Sequence, residues 1–590
     1  CSRCNFQPDL VSSLLDERPL LNDDPTFSLD FLCVRYNIHT PPVEPALHES
    51  VAVLIHNGQP FTWVGHCRVT AISKSAEGYK VKIMVIKSSM KMPEELLSSH
   101  VTALCTIEWI RKTWDNRVID VAVRGLQQAS SFAKEIVTGR KPFNTIDPVP
   151  QDNTILKNRM SEEQEAVITE SYRQPVTAIL GGPGTGKSLL AARLTHLLVA
   201  RNQTADTFRQ IRSGGYTTQL MICAPTEKSL DVITDYLIRL KNTDVHIVRV
   251  YSEEIEERDI PMSHSPKPSL NVKPPPDCTV MKDIALHHLI REKGNAESKS
   301  LLEQEMMTIC GKQMATTVEA SIRKAQTLEL SKARIILCTC ITSSRSILRQ
   351  TTNIKQIIID DAGFISEAET IVPLIMHRGV NQLVLLGDLQ MPQSQVKNPL
   401  ASQLGLARSL LHRYSERAQR LTVQFRCSPN LFSFPSSYFY GGQLNTSSQA
   451  QLQSPVPTIP WPGDAGFPSV FLHVAGQESL PKSLQGKCLS EDDIINMDEC
   501  RAVTNIVGAL VQKHRVNIKS ILVLTMTNAQ TSLVRDNLPR GVAVSTVMDS
   551  IGKEAGYIIL STVRAFPGTD FELPPTSKWT RDHLGQLANA

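Results

Sequence analysis

The sequence predicts an α/β protein: two parallel-sheet units in tandem, preceded by a small β-rich unit. Three observations point there. From about residue 155 short apolar runs alternate with helix-length segments, the pattern of a doubly wound parallel sheet. One of those runs leads through a glycine-rich loop straight into an amphipathic segment. Before them, prolines 142, 148 and 150 in KPFNTIDPVPQDN break both helix and ladder and mark a boundary.

Residues 1–150 read as strand and loop, with alternating segments FTWVGHCRVTAIS and GYKVKIMVI, and form the expected β-rich, barrel-like unit. Residues 151–420 hold the first α/β unit, with runs PVTAIL, QLMICA, HIVRV, ARIILCT, IKQIIIDD and QLVLLGD. An insertion over about 251–330 interrupts it: the acidic SEEIEERD, six prolines between 261 and 276, then a lysine- and glutamate-rich helical stretch. Residues 421–590 continue the alternation through SVFLHV, SILVLT, GVAVST and YIILST.

The chain has 590 residues, 62 basic against 58 acidic, for a formal charge of +4. That balance neither requires nor excludes a nucleic-acid partner, because a groove can be basic while the whole is neutral. No apolar stretch approaches the roughly 18 residues of a membrane span, and the start, Cys-Ser-Arg-Cys, is no signal peptide. Membrane insertion is not expected. The 13 cysteines, several inside apolar runs such as Cys223 and Cys338, read as buried thiols of a reduced, intracellular protein. Cys1 in first place, rather than Met, reads as a chain cut from something longer.

The strongest chemical signal is Gly181-Gly182-Pro183-Gly184-Thr185-Gly186-Lys187-Ser188, which fits G-x-x-x-x-G-K-[ST] between a strand and a helix. Such glycines let backbone N–H groups turn inward around phosphate oxygens, and the helix N-terminus adds its positive dipole end. Lys187 then reaches the β and γ phosphates and Ser188 holds magnesium. A neighbouring strand must supply a carboxylate for the metal and another to orient water; IIIDDAG offers Asp360 and Asp361. LVLLGD ends a further strand at Asp388. ATP with Mg²⁺ is the expected ligand; the Asn-Lys-x-Asp loop that reads guanine is not visible.

In order and flavour these elements resemble the superfamily 1 helicases of the nonsense-decay type, over about residues 155–578. MSEEQEAVI is similar to their Q motif, with Gln164 as adenine reader, APTEKSLDVI to motif Ia, and LCTCITSS to motif Ic. QFRCSPNLFSFPSSYFYGGQL resembles motif IV, with Gln424, Phe425 and Arg426 in the Gln-Tyr-Arg positions, while VLTMTNAQ and VSTVMDSIGKEAGYIILSTVR resemble motifs IVa and V. The resemblance implies two tandem RecA-like P-loop domains. It also implies an ATP-dependent motor on single-stranded RNA or DNA, RNA foremost, with Thr226, Lys228, Thr339, Thr342 and Thr546 along the track.

Departures from the family pattern imply weak hydrolysis. Asp361 stands where the family has glutamate, Met391 where motif III has glutamine (Gln390 being a substitute), and Met548 and Ile551 replace motif V residues, while Gly552 and Glu554 remain. The chain ends at HLGQLANA where the family runs on to motif VI and its arginine finger, so the second unit reads as truncated and Arg426 alone would face the γ phosphate. The alternative implied by resemblance is a weakly hydrolysing nucleotide-binding scaffold, a nuclear coactivator partnering nuclear receptors. Two further candidates are weighed against bland readings. Cys1, Cys4, Cys33 and His39 are set as a zinc site against free thiols. Trp109, Trp114 and Phe132 are set as base-stacking aromatics against core.

Overall fold

The computed structural model describes residues 114–139, 160–213, 217–240, 245–260, 280–292, 312–391, 405–448, 468–474, 476–481, 494–550 and 552–564, with a few isolated positions among them. Before residue 110 it describes the backbone of five strands.

Those strands are β1 (Ser28–Cys33), β2 (Ser50–His56), β3 (Trp63–Ser75), β4 (Gly78–Ser88) and β5 (Leu104–Trp109), paired antiparallel in the order β1-β4-β3-β2-β5. Among the described residues β1 and β5 remain edges, so the sheet is open rather than a closed barrel. The reading of everything up to 150 as strand and loop needs correction. Trp114–Gly125 and Ser131–Val137 are helices. Their Val118, Ala122, Ala133 and Ile136 are buried with Ile371, Leu374 and Ile375 of the first α/β unit. The i, i+4 spacing of Val118 and Ala122 makes one apolar stripe, a signal that the β-branched content of RVIDVAV obscured. Phe132 packs against the same core, so its role is packing; Trp109 is described as backbone alone and the side chain of Trp114 lies outside the described residues.

The first parallel sheet contains β6 (Val176–Gly181), β7 (Gln219–Ala224), β8 (Ile247–Arg249), β9 (Ile335–Thr339), β10 (Ile354–Ile359), β11 (Gln382–Gly387) and β12 (Gln419–Leu421), ordered β12-β6-β11-β10-β7-β9-β8. Every pairing is parallel. Alternate residues of each strand enter different cores. Met221, Ile336, Ile357 and Leu383 face one side, and Ile222, Leu337, Ile358 and Val384 the other. Both faces are therefore covered by helices, which is why these strands read as unbroken apolar runs. Burying each such side chain contributes on the order of 1.5–3 kcal/mol. β12 also shows that a division at residue 420 would cut a strand of this sheet. Within the insertion the described parts are helical: Glu253–Asp259, Leu286–Glu292 and Lys312–Lys332.

Beyond it, β13 (Val423–Gln424) pairs in parallel with β14 (Asn445–Thr446), and β15 (Glu478–Ser479) pairs antiparallel with β16 (Ile495–Asn496). The second parallel sheet has β17 (Ile521–Thr525) between β18 (Ala543–Thr546) and β19 (Tyr557–Ser561). The helices Met497–Gly508 and Asn528–Asn537 cover one face, burying Val503, Val507 and Val534 on Ile521 and Val523. SVFLHV is not a strand, contrary to expectation. Val470, Phe471 and Leu472 are 47%, 89% and 56% exposed. A short apolar run makes a strand only where a ladder partner exists, and none of the described strands pairs with it.

No helix among the described residues is long and apolar enough to cross a membrane. The described cysteines Cys223, Cys338, Cys340, Cys427 and Cys500 are unpaired, and all but Cys427 are buried. Cys1, Cys4 and His39 lie outside the described residues, and of Cys33 the backbone alone is described, as are the last residues from 565 onward outside them.

Candidate nucleotide site and nucleic-acid track

All parallel strands of the first sheet run the same way, so the loops after β6, β7, β9, β10 and β11 meet at one carboxyl edge, the usual crevice of such sheets. The loop after β6 is Gly181–Ser188. Gly184 and Gly186 have φ of +75° and +84°, conformations that L side chains resist. A Cβ at Gly182 would lie 2.2 Å from Leu444 Cδ1, so here the glycine answers a close approach.

Lys187 opens the helix Lys187–Ser213 and curls back over the loop. Its Nζ donates to the carbonyls of Gly181 (2.7 Å) and Gly182 (2.9 Å). Burial pulls the Lys187 ammonium down from its ordinary value, against the opposing pull of Asp388, Asp361 and Asp360. Ser188 Oγ donates to Asp360 Oδ2 at 2.7 Å. Burial, then the neighbouring Asp361 charge, pushes the Asp360 carboxyl up to about 7. A Mg²⁺ with oxygen ligands at 2.0–2.1 Å wants neighbouring oxygens about 2.9 Å apart. The Ser188–Asp360 pair matches that spacing and would hold the ion, which supplies charge neutralisation to phosphates bound beside it.

Asp361 sits in the left-handed region at φ 52°. Burial raises its carboxyl, while Lys187 and a hydrogen bond from the Ser229 hydroxyl lower it. Asp388 Oδ2 accepts the Tyr440 hydroxyl at 2.5 Å, and Asp388 Oδ1 accepts the Gln390 amide at 3.0 Å. Gln390 is thus tied to Asp388 by its backbone, and Met391 follows in the same turn, partly buried.

Gln164 is buried, and both ends of its amide are engaged by the chain itself. Oε1 accepts the Ser161 N–H at 3.2 Å in a capping box, and Nε2 donates to Thr185 O at 2.9 Å. These bonds brace the glycine loop; reading adenine, as the resemblance implies, would need one of them exchanged. Gln424, fully buried, shapes the next turn: Oε1 accepts the N–H groups of Arg426 (2.8 Å) and Cys427 (2.9 Å), and Nε2 donates to Cys427 O and Thr446. Phe425 N–H donates to Gly184 O at 2.9 Å, which lays this turn directly on the glycine loop. Arg426 pairs with Glu554 of the second sheet's unit.

The track candidates divide by geometry. Thr226 caps the helix Glu227–Arg239 by accepting Ser229 N–H at 3.1 Å. Thr339 Oγ1 accepts Thr342 N–H at 3.1 Å and donates to Thr342 Oγ1 at 2.8 Å; Thr342 is buried. Thr546 Oγ1 accepts Asp549 N–H at 3.0 Å, and Asp549 lies 3.7 Å from Lys228 Nζ. Lys228, Asp549 and Thr546 are therefore brought to one junction between the two units, and Gly552 reaches the same place beside Val232. Thr339 and Thr342 sit at a separate turn after β9.

Sequence reasoning missed Ser229, Tyr440 and Asp549. Ser229 was legible as the N3 partner of a Thr226 cap, and its hydroxyl links Asp361 to Thr226 through an Oγ–Oγ contact of 3.1 Å. Tyr440 carried no local signal, because its partner is 52 residues away.

Two family models match the chain, both described as an AAA domain, over residues 159–393 and 406–584. The human 3'-5' exoribonuclease HELZ2 is 29% identical over 95% of this chain and 20% of its own length. The ATP-dependent helicase NAM7 of Saccharomyces cerevisiae is 26% identical over 71% of this chain and 40% of its own. The chain belongs to the superfamily 1 helicases of the nonsense-decay type. The regulator of nonsense transcripts 1 homolog of Drosophila melanogaster adds 27% identity over 69% of this chain and 32% of its own length. The chain spans about a fifth of the HELZ2 relative's length and 40% or less of the others'. Within this helicase family the glycine loop and the strands around it are the P-loop NTPase part.

Proposed function

We propose that the chain binds ATP with Mg²⁺ at the P-loop and moves on, or clamps, single-stranded nucleic acid, RNA foremost, while hydrolysing slowly. The observation that supports it is the convergence of Ser188, Asp360, Asp361 and Asp388 around Lys187 at one sheet edge, beneath a turn that presents Arg426. Lys187 would exchange its two carbonyl partners for phosphate oxygens, and Ser188 with Asp360 would hold the ion. Asp361 would position water, but its carboxyl is one methylene nearer the backbone than a glutamate's and is tied to Ser229. A displacement of about 1 Å at a reacting group costs on the order of 10²-fold in rate. Arg426 reaches a phosphate after releasing Glu554.

The make-up of the candidate track, threonine hydroxyls with Lys228, supports a phosphate- and sugar-reading mode, with weak sequence preference and affinity that falls as salt rises. Lys228 would leave Asp549 for a phosphate, linking nucleic acid to the junction between units. No side chain described above favours the nuclear coactivator scaffold over the motor. The test is titration of a fluorescent ATP analogue with magnesium, followed by steady-state ATPase assays with and without single-stranded RNA. Lys187→Ala should abolish measurable nucleotide binding, and Asp361→Glu should raise turnover. Unchanged binding in Lys187→Ala removes the P-loop assignment; several turnovers per second by the parent chain with RNA removes the slow-hydrolysis reading.

A further inference from the structure

The segment between β8 and the helix Lys312–Lys332 takes no part in the nucleotide site, yet it brings three ligand-type side chains together. Asp259 ends one short helix; His287 and His288 lie at the start of the next. Both imidazole Nε2 atoms converge on the same carboxylate oxygen, Asp259 Oδ2, at 2.9 and 2.6 Å. The three ligand atoms lie within 4.8 Å of one another. We propose that this cluster is a metal site for a zinc-class divalent ion, held by His287 Nε2, His288 Nε2 and the Asp259 carboxylate, with water completing the shell.

Geometry and surroundings both support it. Zinc binds imidazole nitrogen at about 2.0–2.1 Å and carboxylate oxygen at about 2.0–2.2 Å, so tetrahedral ligands stand roughly 3.3 Å apart. Opening the two present contacts by less than about 1 Å admits the ion. Without it, two rings must donate to one oxygen while His287 Nδ1, buried, makes no hydrogen bond. A metal-bound imidazole ordinarily donates its other N–H to a carboxylate, which fixes the ring. Glu256 Oε1 stands 3.9 Å from His287 Nδ1 and is itself held 2.8 Å from Arg345 Nη1. The Tyr251 ring packs edge-on against His287 at 5.9 Å. Asp259 is exposed and His288 half-buried, so an ion has a route from solvent.

Such an ion would clamp the helices Glu253–Asp259 and Leu286–Glu292 together. Through Glu256 it would reach Arg345, whose Nη1 also donates to Tyr251 O at 2.6 Å and which directly follows the turn Thr342–Ser344. The clamp therefore braces the segment that carries Thr339 and Thr342.

The experiment strips the full chain with a chelator, titrates cobalt(II), and then displaces it with zinc while visible and near-ultraviolet absorption are recorded. We expect one cobalt(II) per chain with ligand-field bands and no thiolate charge-transfer band, which separates this cluster from any site built on Cys1 and Cys4. His288→Ala, at the surface, and Asp259→Asn should weaken binding by more than about 100-fold, beyond the 10- to 100-fold expected of Glu256→Gln, whose change lies in the outer shell. Zinc should raise the melting temperature of the parent and leave that of His288→Ala unmoved. Cobalt(II) binding that shows thiolate bands alone, no binding at all, or equal affinity in parent and His288→Ala overturns the site.

Discussion

The two parallel sheets share a connection rule and differ in cover. In the first, alternate residues of β6, β7, β9, β10 and β11 are buried on both faces, and the loops at its carboxyl edge hold Lys187, Ser188, Asp360, Asp361 and Asp388. In the second, helices cover one face, while on the other Leu522 of the central β17 is buried but Ile558 and Leu560 of the edge strand β19 are 58% and 51% exposed. The chemistry is thus mounted on the platform that packing holds most firmly. Residues 421–590 meet that platform through Phe425 N–H on Gly184 O and the Tyr440 hydroxyl on Asp388, while the partly exposed pairs Arg426–Glu554 and Lys228–Asp549, worth about 0–1 kcal/mol each, latch the loops of the second sheet to the same junction. A firm platform with an exposed latch beside it fits the nucleotide-dependent action proposed above.

The largest effect should come from inside the first unit. Arg249 on β8 is fully buried and pairs with Glu227 at 2.9 Å and Asp231 at 3.0 Å, tying the edge strand to the helix that begins at Thr226. Arg249→Ala leaves two acids facing a buried gap, and breaking such a pair costs about 3–5 kcal/mol. Urea denaturation of parent and variant measures it. A loss below 1 kcal/mol would mean that the edge is not clamped by charge.

The same unit stores a pH dependence. Burial, with Asp115 nearby, pushes the Glu369 carboxyl from 4.5 up to about 7. A folded-state pKa above the unfolded one stabilises fully below the unfolded value, and that contribution is lost as pH rises from 4.5 through about 7. Glu369→Gln cannot ionise. It should therefore gain on the parent by on the order of 3 kcal/mol between pH 4 and pH 8. Parallel stability curves for the two chains across that range would remove Glu369 as the source.

The latch itself is expected to respond more gently. Glu554→Gln releases the Arg426 guanidinium toward the P-loop, and nucleotide affinity should rise by about 2- to 5-fold, the scale of one exposed ion pair. A fall in affinity would instead make Glu554 a ligand contact, and the latch would then belong to the site.

How much of this the sequence told depends on the reach of each signal. The runs that became β6 to β11 were legible because burial on both faces leaves unbroken Val, Ile and Leu, and Gly181–Ser188 because its glycines and Lys187 are contiguous. The helix Trp114–Gly125 was not, since its β-branched residues favour strands locally and the partner that settles it, Ile375, lies far along the chain. SVFLHV failed for the opposite reason: the apolar run was present, and none of the described strands pairs with it. Asp360 and Lys187 were found by motif. Tyr440, Asp549 and the second engagement of Gln164 arise from tertiary contact and left no mark in local spacing.

The smallest expected effect tests the comparison most directly. If the β19 edge of the second sheet is open, Ile558→Ser and Leu560→Ser remove side chains that already meet solvent, and each should change stability by less than about 0.5 kcal/mol. The matched change in the first sheet, Ile357→Ala at a fully buried position, should cost about 2–5 kcal/mol, because transfer and cavity terms add. Both are measured by urea denaturation of the same chain, so the contrast is internal. A cost above about 2 kcal/mol at Ile558 or Leu560 would show that edge packed in solution. The two sheets would then be equally covered, and the contrast between the units would rest on the exposed Arg426–Glu554 and Lys228–Asp549 pairs at their junction.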